Sequence, residues 1–270
     1  MKKRLMTGLS ALASFLAVAS VPSIRATAHK LIREDAQTYA TAEAPKIADS
    51  LYSKFGIRMS VPLIKSGDLR EKEGASGLYE DSTNTIFYDN HLRPVFNSKL
   101  DKLLLDSTRL TDDNLREVLI HEMTHAYTDH LSKQLTGKKW PKTDDLQGGL
   151  EGMGSNFSKA YARRMISEGI SEYITTQFYP QHMNRLGKSW HEGELFLVNR
   201  FEAFFGPGDN RRTPYLGGYE IVRPILDKFG VKEGISLIIQ NTPDIGWLPY
   251  LSEWRDSVVA SAPKYTNKIK

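Results

Sequence analysis

The stretch 111-TDDNLREVLI-120 followed by 121-HEMTHAYTDH-130 decides how this chain is read. As one helix it sets His121 and His125 about 40° apart around the axis with Cβ atoms about 5 to 6 Å apart, so two imidazole nitrogens can converge on one ion. Glu122 lies about 100° from His121, beside that edge, where a carboxylate can take a proton from an activated water. His130 falls about 180° from His121 and about 140° from His125, so it cannot share their ion and reads as a surface or capping residue. Asp129 is on the correct side but two turns from His121, too far for one tetrahedral ion. Leu115, Leu119, Ile120, Met123, Ala126 and Tyr127 spread over the opposite side as a core-packed face. Thr111 suits the N-cap, and Asp112 and Asp113 suit the positive helix start.

Upstream, residues 29 to 54 read as a helix and 57-IRMSVPLI-64 as a strand whose Pro suits an edge or an end. The segments 77-GLYE-80 and 85-TIFYDN-90 flank a cluster of turn formers and read as a hairpin. Downstream, 136-TGKKWPKTDDLQGGLEGMGSN-156 lacks apolar periodicity and reads as a long surface loop. A second helix is expected from about Phe157 to Phe178, stopping at Pro180. Further helices are expected in 194-ELFLVNRFEAFF-205, 219-YEIVRPILDKF-229 and 232-KEGISLII-239.

The first 28 residues carry the three parts of a secretory signal peptide: Lys2, Lys3 and Arg4, then the apolar 11-ALASFLAVAS-20, then the small-residue site 26-ATA-28, with cleavage expected after Ala28. The expected product is secreted or periplasmic, without stable membrane insertion, since no other run approaches the ~20 apolar residues of a spanning helix. Four of the 36 Lys and Arg lie before residue 29 and no Asp or Glu does, which leaves 32 against 32. The formal net charge of +4 therefore belongs to the signal and gives no support to nucleic-acid binding. The absence of cysteine excludes a disulfide scaffold and a thiol enzyme.

The H-E-x-x-H helix resembles that of the zincin metallopeptidases. The metzincin branch requires Gly and His where this chain has Thr128 and Leu131, and peptide deformylases require a cysteine. The gluzincins take a glutamate from a second helix, followed four residues later by an acidic residue in their thermolysin-like members. Glu168 and Glu172 in 163-RRMISEGISEYITTQF-178 have that spacing. They share a helical sector with Phe157, Tyr161 and Met165, while Arg163, Arg164, Ser167 and Ser171 occupy a separate polar sector. Carboxylates on an apolar face are costly unless paired or metal-bound, which calls for a partner on a facing helix. The resemblance implies Zn2+ held by His121, His125 and Glu168, with Glu172 accepting the Nδ1–H of His121. Asp144, Asp145 and Glu151 stay open as other ligand candidates.

In zincins a Tyr, His or Arg from the C-terminal half supports the oxyanion. Here 211-RRTPYLGGYEI-221 offers Tyr215 and Tyr219 as the catalytic candidates beside Glu122, with Arg211, Arg212 and His191 as further ones and Gly217 and Gly218 permitting close backbone approach. The zincin fold also pairs an extended substrate with the strand next to the metal helix, a role open to either strand of the hairpin. The expected fold is α+β, zincin-like: a small mixed N-terminal sheet packed on the HEMTH helix in a subdomain of about 29–135, then a mainly helical subdomain of about 136–270. The expected function is that of an exported zinc endopeptidase acting on peptides or proteins in extended conformation. The alternatives are a secreted toxin or effector protease with one protein target, and a non-catalytic exported zinc-binding module.

Overall fold

A computed structural model describes residues 22–69, 76–89, 92, 115–140, 155–182, 214–243 and 250–261, with the backbone alone at 22–35, 155–161 and 214. Among these residues the chain is α+β, a small mixed sheet with six α-helices. The helices are α1 (Pro22–Phe55), α2 (Leu115–Thr136), α3 (Ser155–Phe178), α4 (Pro214–Phe229), α5 (Val231–Gln240) and α6 (Leu251–Ser261); the strands are β1 (Leu63–Gly67), β2 (Gly77–Glu80) and β3 (Thr85–Asp89).

The HEMTH helix is α2, and it is enclosed by α1, β2, β3, α3 and α5. Enclosure on several sides accounts for its buried set, which includes Leu115, Leu119, Ile120, Met123, Ala126, Tyr127 and Leu131 and also Glu117, Glu122, Thr124, Thr128 and Asp129. Buried polar groups need partners. Thr124 and Thr128 donate to the carbonyls of Ile120 and Thr124, each at 2.9 Å. Asp129 accepts from Lys133 Nζ at 2.6 Å and from the Trp140 N–H at 3.1 Å, tying down the chain that leaves the helix. Helix α1 presents Ala36, Ala40, Ala44, Ile47 and Leu51 to this core, an i, i+4, i+3 series on one face.

In the sheet β3 is central, parallel to β1 and antiparallel to β2. The expected hairpin is β2–β3, with Asn84 at φ 49° in its turn. The expected strand at 57–64 is displaced: β1 runs from Leu63 to Gly67. Pro62 has no N–H for the ladder, so pairing begins after it. The outer edge of β1 is closed by Gln37 of α1, whose Nε2 donates to the Ile64 carbonyl at 2.9 Å while its Oε1 accepts the Ser66 N–H at 3.0 Å. Helix α1 begins at Pro22, so the expected cleavage point after Ala28 lies within it. Helix α6 was not anticipated; it is held by Trp254, whose Nε1 donates to the Asn241 carbonyl at 2.7 Å. Thr111, Asp112 and Asp113, residues 141–154 of the expected loop, the helix expected at 194–205 and residues 1–21 of the expected signal lie outside the described residues.

Helices α3 and α4 cross backbone to backbone. A Cβ built on Gly218 would stand 1.8 Å from the Met165 carbonyl oxygen, and one built on Gly169 would stand 2.1 Å from the Gly218 carbonyl carbon. The crossing adjoins Glu168, so it also fixes the depth of that side chain. Gly218→Ala should therefore cost at least the ~1–3 kcal/mol typical of overpacking, read as a lower urea midpoint; an unchanged midpoint would show that the two helices separate freely.

Candidate metal centre

Helices α2 and α3 run antiparallel along the site: descending α2 through His125, His121 and Arg116 meets Ser167, Glu172 and Tyr179 in ascending order. At the top of this seam three donor atoms converge. His121 Nε2 is 3.0 Å from His125 Nε2 and 3.1 Å from Glu168 Oε2, and His125 Nε2 is 3.4 Å from the same oxygen. His121, His125 and Glu168 form a group that can hold a metal ion. Their side chains keep 14%, 17% and 14% of their surface, so the cluster is partly exposed.

Each imidazole is oriented from behind. His121 Nδ1 faces Glu172 Oε1 at 3.3 Å. His125 Nδ1 faces Ser167 Oγ at 3.0 Å and Ser171 Oγ at 3.3 Å. With Nδ1–H donated backwards in both rings, both Nε2 atoms present lone pairs to each other and to a carboxylate oxygen. Three acceptors in mutual contact repel unless a cation or a proton lies among them. The ionisation tendencies agree. Burial would lower the pKa of His121, yet Glu168 and Glu172 raise it well above the ordinary histidine value. Burial would raise the pKa of Glu168, yet His125 and His121 hold it well below the carboxylate range. The cluster attracts positive charge.

One turn lower is a second layer, in which Glu117 and Glu172 are more deeply buried than the cluster above. Glu117 stands four residues before His121 and Glu172 four residues after Glu168, which brings both carboxylates to one level of the antiparallel seam. Between them lies His182, carried by the short 3-10 turn Pro180–His182 that follows α3. Its Nε2 is 2.5 Å from Glu172 Oε2. Its Nδ1 is 3.5 Å from Glu117 Oε2, an ion-pair contact without the alignment of a hydrogen bond. Burial would lower the His182 pKa, but Glu117 and Glu172 outweigh it and push it up to about 9. For Glu172, burial is likewise outweighed by His121 and His182, and its pKa falls.

Glu122 lies on the other flank of the cluster, 7% exposed, beneath the start of β2. A Cβ on Gly77 would meet Glu122 Oε1 at 2.7 Å and Val118 Cγ1 at 2.6 Å, so only glycine lets the strand pass this closely. The Ser76–Asp89 hydrogen bond and the register place the outward-facing backbone groups of β2 at Gly77 and Tyr79, and Glu122 accepts the Tyr79 N–H. Burial is the largest influence on Glu122 and raises its pKa above the ordinary value against the opposing effect of His121 and His125.

Of the tyrosines, Tyr215 has its ring centroid 6.4 Å from that of His121. Tyr219, one turn on, is buried with its ring 6.1 Å from Tyr173 in the α3–α4 interface. His130 is exposed and contacts Gln134. Met165 is buried, Arg164 Nε lies 3.9 Å from Glu168 Oε1, and of Phe157 and Tyr161 only the backbone is described. Asp144, Asp145, Glu151, His191, Arg211 and Arg212 lie outside the described residues. Sequence reasoning missed Ser167 and Ser171, assigned to a sector apart from the carboxylates, and missed Glu117 and His182. Four-residue spacing to His121 signals Glu117, but nothing local signals His182. Comparison with protein-family models, curated proteins and solved structures finds no match to this chain.

The lower layer has a measurable consequence. His182 holds its proton to about 9 in the fold against 6.5 for the free side chain, so folding takes up a proton between these values. The stabilisation it contributes is complete below pH 6.5 and is lost as pH rises through about 9. Urea unfolding in chelator should show stability falling over that window, and less steeply in His182→Gln; an identical slope in the variant would place the proton on another group.

Proposed function

We propose that this chain is an exported zinc-dependent endopeptidase of gluzincin type. The observation that carries the reading is the convergence of His121 Nε2, His125 Nε2 and Glu168 Oε2 at 3.0, 3.1 and 3.4 Å. A tetrahedral zinc with nitrogen and oxygen ligands near 2.0–2.1 Å needs donor separations of about 3.3 to 3.4 Å. The three separations lie at or slightly inside that value, and the converging lone pairs favour a cation among them. Three protein ligands in a partly exposed cluster are also the pattern of a catalytic rather than a structural zinc, which takes four protein ligands and is closed to water.

When bound, Zn2+ supplies Lewis-acid charge that polarises a carbonyl and makes a water more acidic. The remaining work falls to side chains. Glu122 takes the proton of the attacking water and returns it to the leaving amine, and burial raises its pKa in the direction that favours accepting that proton. The Tyr79 N–H and the contact with Gly77 keep its carboxylate on the cluster side of the strand. Tyr215, the tyrosine nearer His121, supports the oxyanion. Glu172, Ser167 and Ser171 hold the two imidazoles with Nε2 directed at the metal.

The substrate strand, in this reading, adds to β2. Strand β3 is central and β1 is closed by Gln37, so among the described residues β2 is the edge beside the metal helix. An extended segment pairing there at Gly77 would pass over Glu122, with alternate side chains turned toward the cleft.

The purified protein should bind one zinc per chain and cut proteins internally, with dipeptides poor substrates. A mixed peptide library trimmed one residue at a time from its ends would refute the edge-strand mode. Glu122→Gln should keep zinc and fold while losing 10²- to 10⁴-fold or more in hydrolysis; near-normal turnover would move the base elsewhere. Glu168→Ala should abolish zinc binding, whereas Glu172→Ala should weaken it by about 10- to 100-fold, both measured by competition with a chelating dye. The reverse order would exchange their roles.

A further inference from the structure

We infer that His182 is a positioning residue for the metal centre, acting through Glu172, an assignment that rests on the reading of His121, His125 and Glu168 as zinc ligands. The Glu172 carboxylate lies between two imidazoles: Oε1 faces His121 Nδ1 at 3.3 Å, and Oε2 faces His182 Nε2 at 2.5 Å. A carboxylate with one partner can turn about its terminal bond. Held on both oxygens, it has a fixed plane, and the direction in which it receives the His121 Nδ1–H is fixed with it. With Nδ1 turned to that carboxylate, Nε2 is the lone pair directed at His125 Nε2 and Glu168 Oε2.

The placement of His182 fits this task. It does not reach the three ligand atoms, and the Pro180–His182 turn folds it back under α3 against Glu172. Its second contact, Glu117 at 3.5 Å, belongs to α2, the helix that carries both ligand histidines. One imidazole thus spans a carboxylate from each ligand-bearing helix, one turn below the site. It holds in register the two helices whose relative shift would separate His121 from Glu168. The two carboxylates stand on different helices, and His182 contacts both.

The test is a double-mutant cycle on zinc affinity with the chelator-stripped full chain, using His182→Ala, Glu172→Gln and the pair, read by competition with a chelating dye. His182→Ala should weaken zinc binding by about 10-fold in the wild-type background and by less than about 2-fold in the Glu172→Gln background, because its route to His121 is already cut. A cost equal in both backgrounds is what a merely structural role gives, and it would overturn the assignment. If His182→Ala does not fold, His182→Met fills similar space without a donor and takes its place in the cycle. A wild-type chain that binds no zinc would overturn the metal centre itself. A wild type that binds zinc with additive costs would overturn the role of His182 alone.

Discussion

Glu117, Glu122, Glu168 and Glu172 meet His121, His125 and His182 around one helix seam, and the structure depends on partnering them. Each carboxylate out of water costs several kcal/mol unless a donor or a cation compensates it. The antiparallel seam between α2 and α3 meets that demand in layers. Its upper layer gathers two imidazole nitrogens and a carboxylate oxygen around one point. Its lower layer sets His182 between two acids. Arg116 closes the far end by contacting Glu43 of α1 at 2.7 Å and Tyr179 at 2.9 Å.

Packing elsewhere serves the depth and tilt of that seam. Gly169 and Gly218 bring α4 against α3 at the residue after Glu168, and Tyr173 donates to Asp227 at 2.6 Å a turn further on. On the opposite flank, β2 lies close enough over α2 that Gly77 and Glu122 touch. The site is thus held by a helix crossing on one side and a strand on the other, and both contacts require glycine for the same reason: no Cβ fits between the two surfaces. Rigid support from regular elements is what a preorganised site needs.

The partly exposed cluster of His121, His125 and Glu168 and the two buried carboxylates beneath it differ in setting. In the lower layer the burial of Glu117 and Glu172 strengthens their electrostatic contacts, and Glu172 faces the ring of His121 from behind. Four carboxylates face three imidazoles across the two layers, so the centre attracts a cation.

The sequence by itself determined what lies within one turn of one element. The spacing of His121 and His125, the spacing of Glu168 and Glu172, the stop of α3 before Pro180 and the Asp81–Asn84 hairpin all follow from the period of the helix or the chemistry of a turn, which neighbouring residues dictate. It also placed the mixed sheet and the helical second half. Tertiary structure decided how the elements face one another. That β3 is central, that β1 starts only after Pro62 and is closed by Gln37, that Tyr215 rather than Tyr219 is beside His121, and that Ser167 and Ser171 turn toward His125 all depend on the rotation of one element against another. His182 is the clearest case. Ten residues beyond Glu172, it reaches that carboxylate only because α3 ends and the next turn folds back. Periodicity fixes which residues share a face of a helix, but the packing of neighbouring elements fixes where that face points.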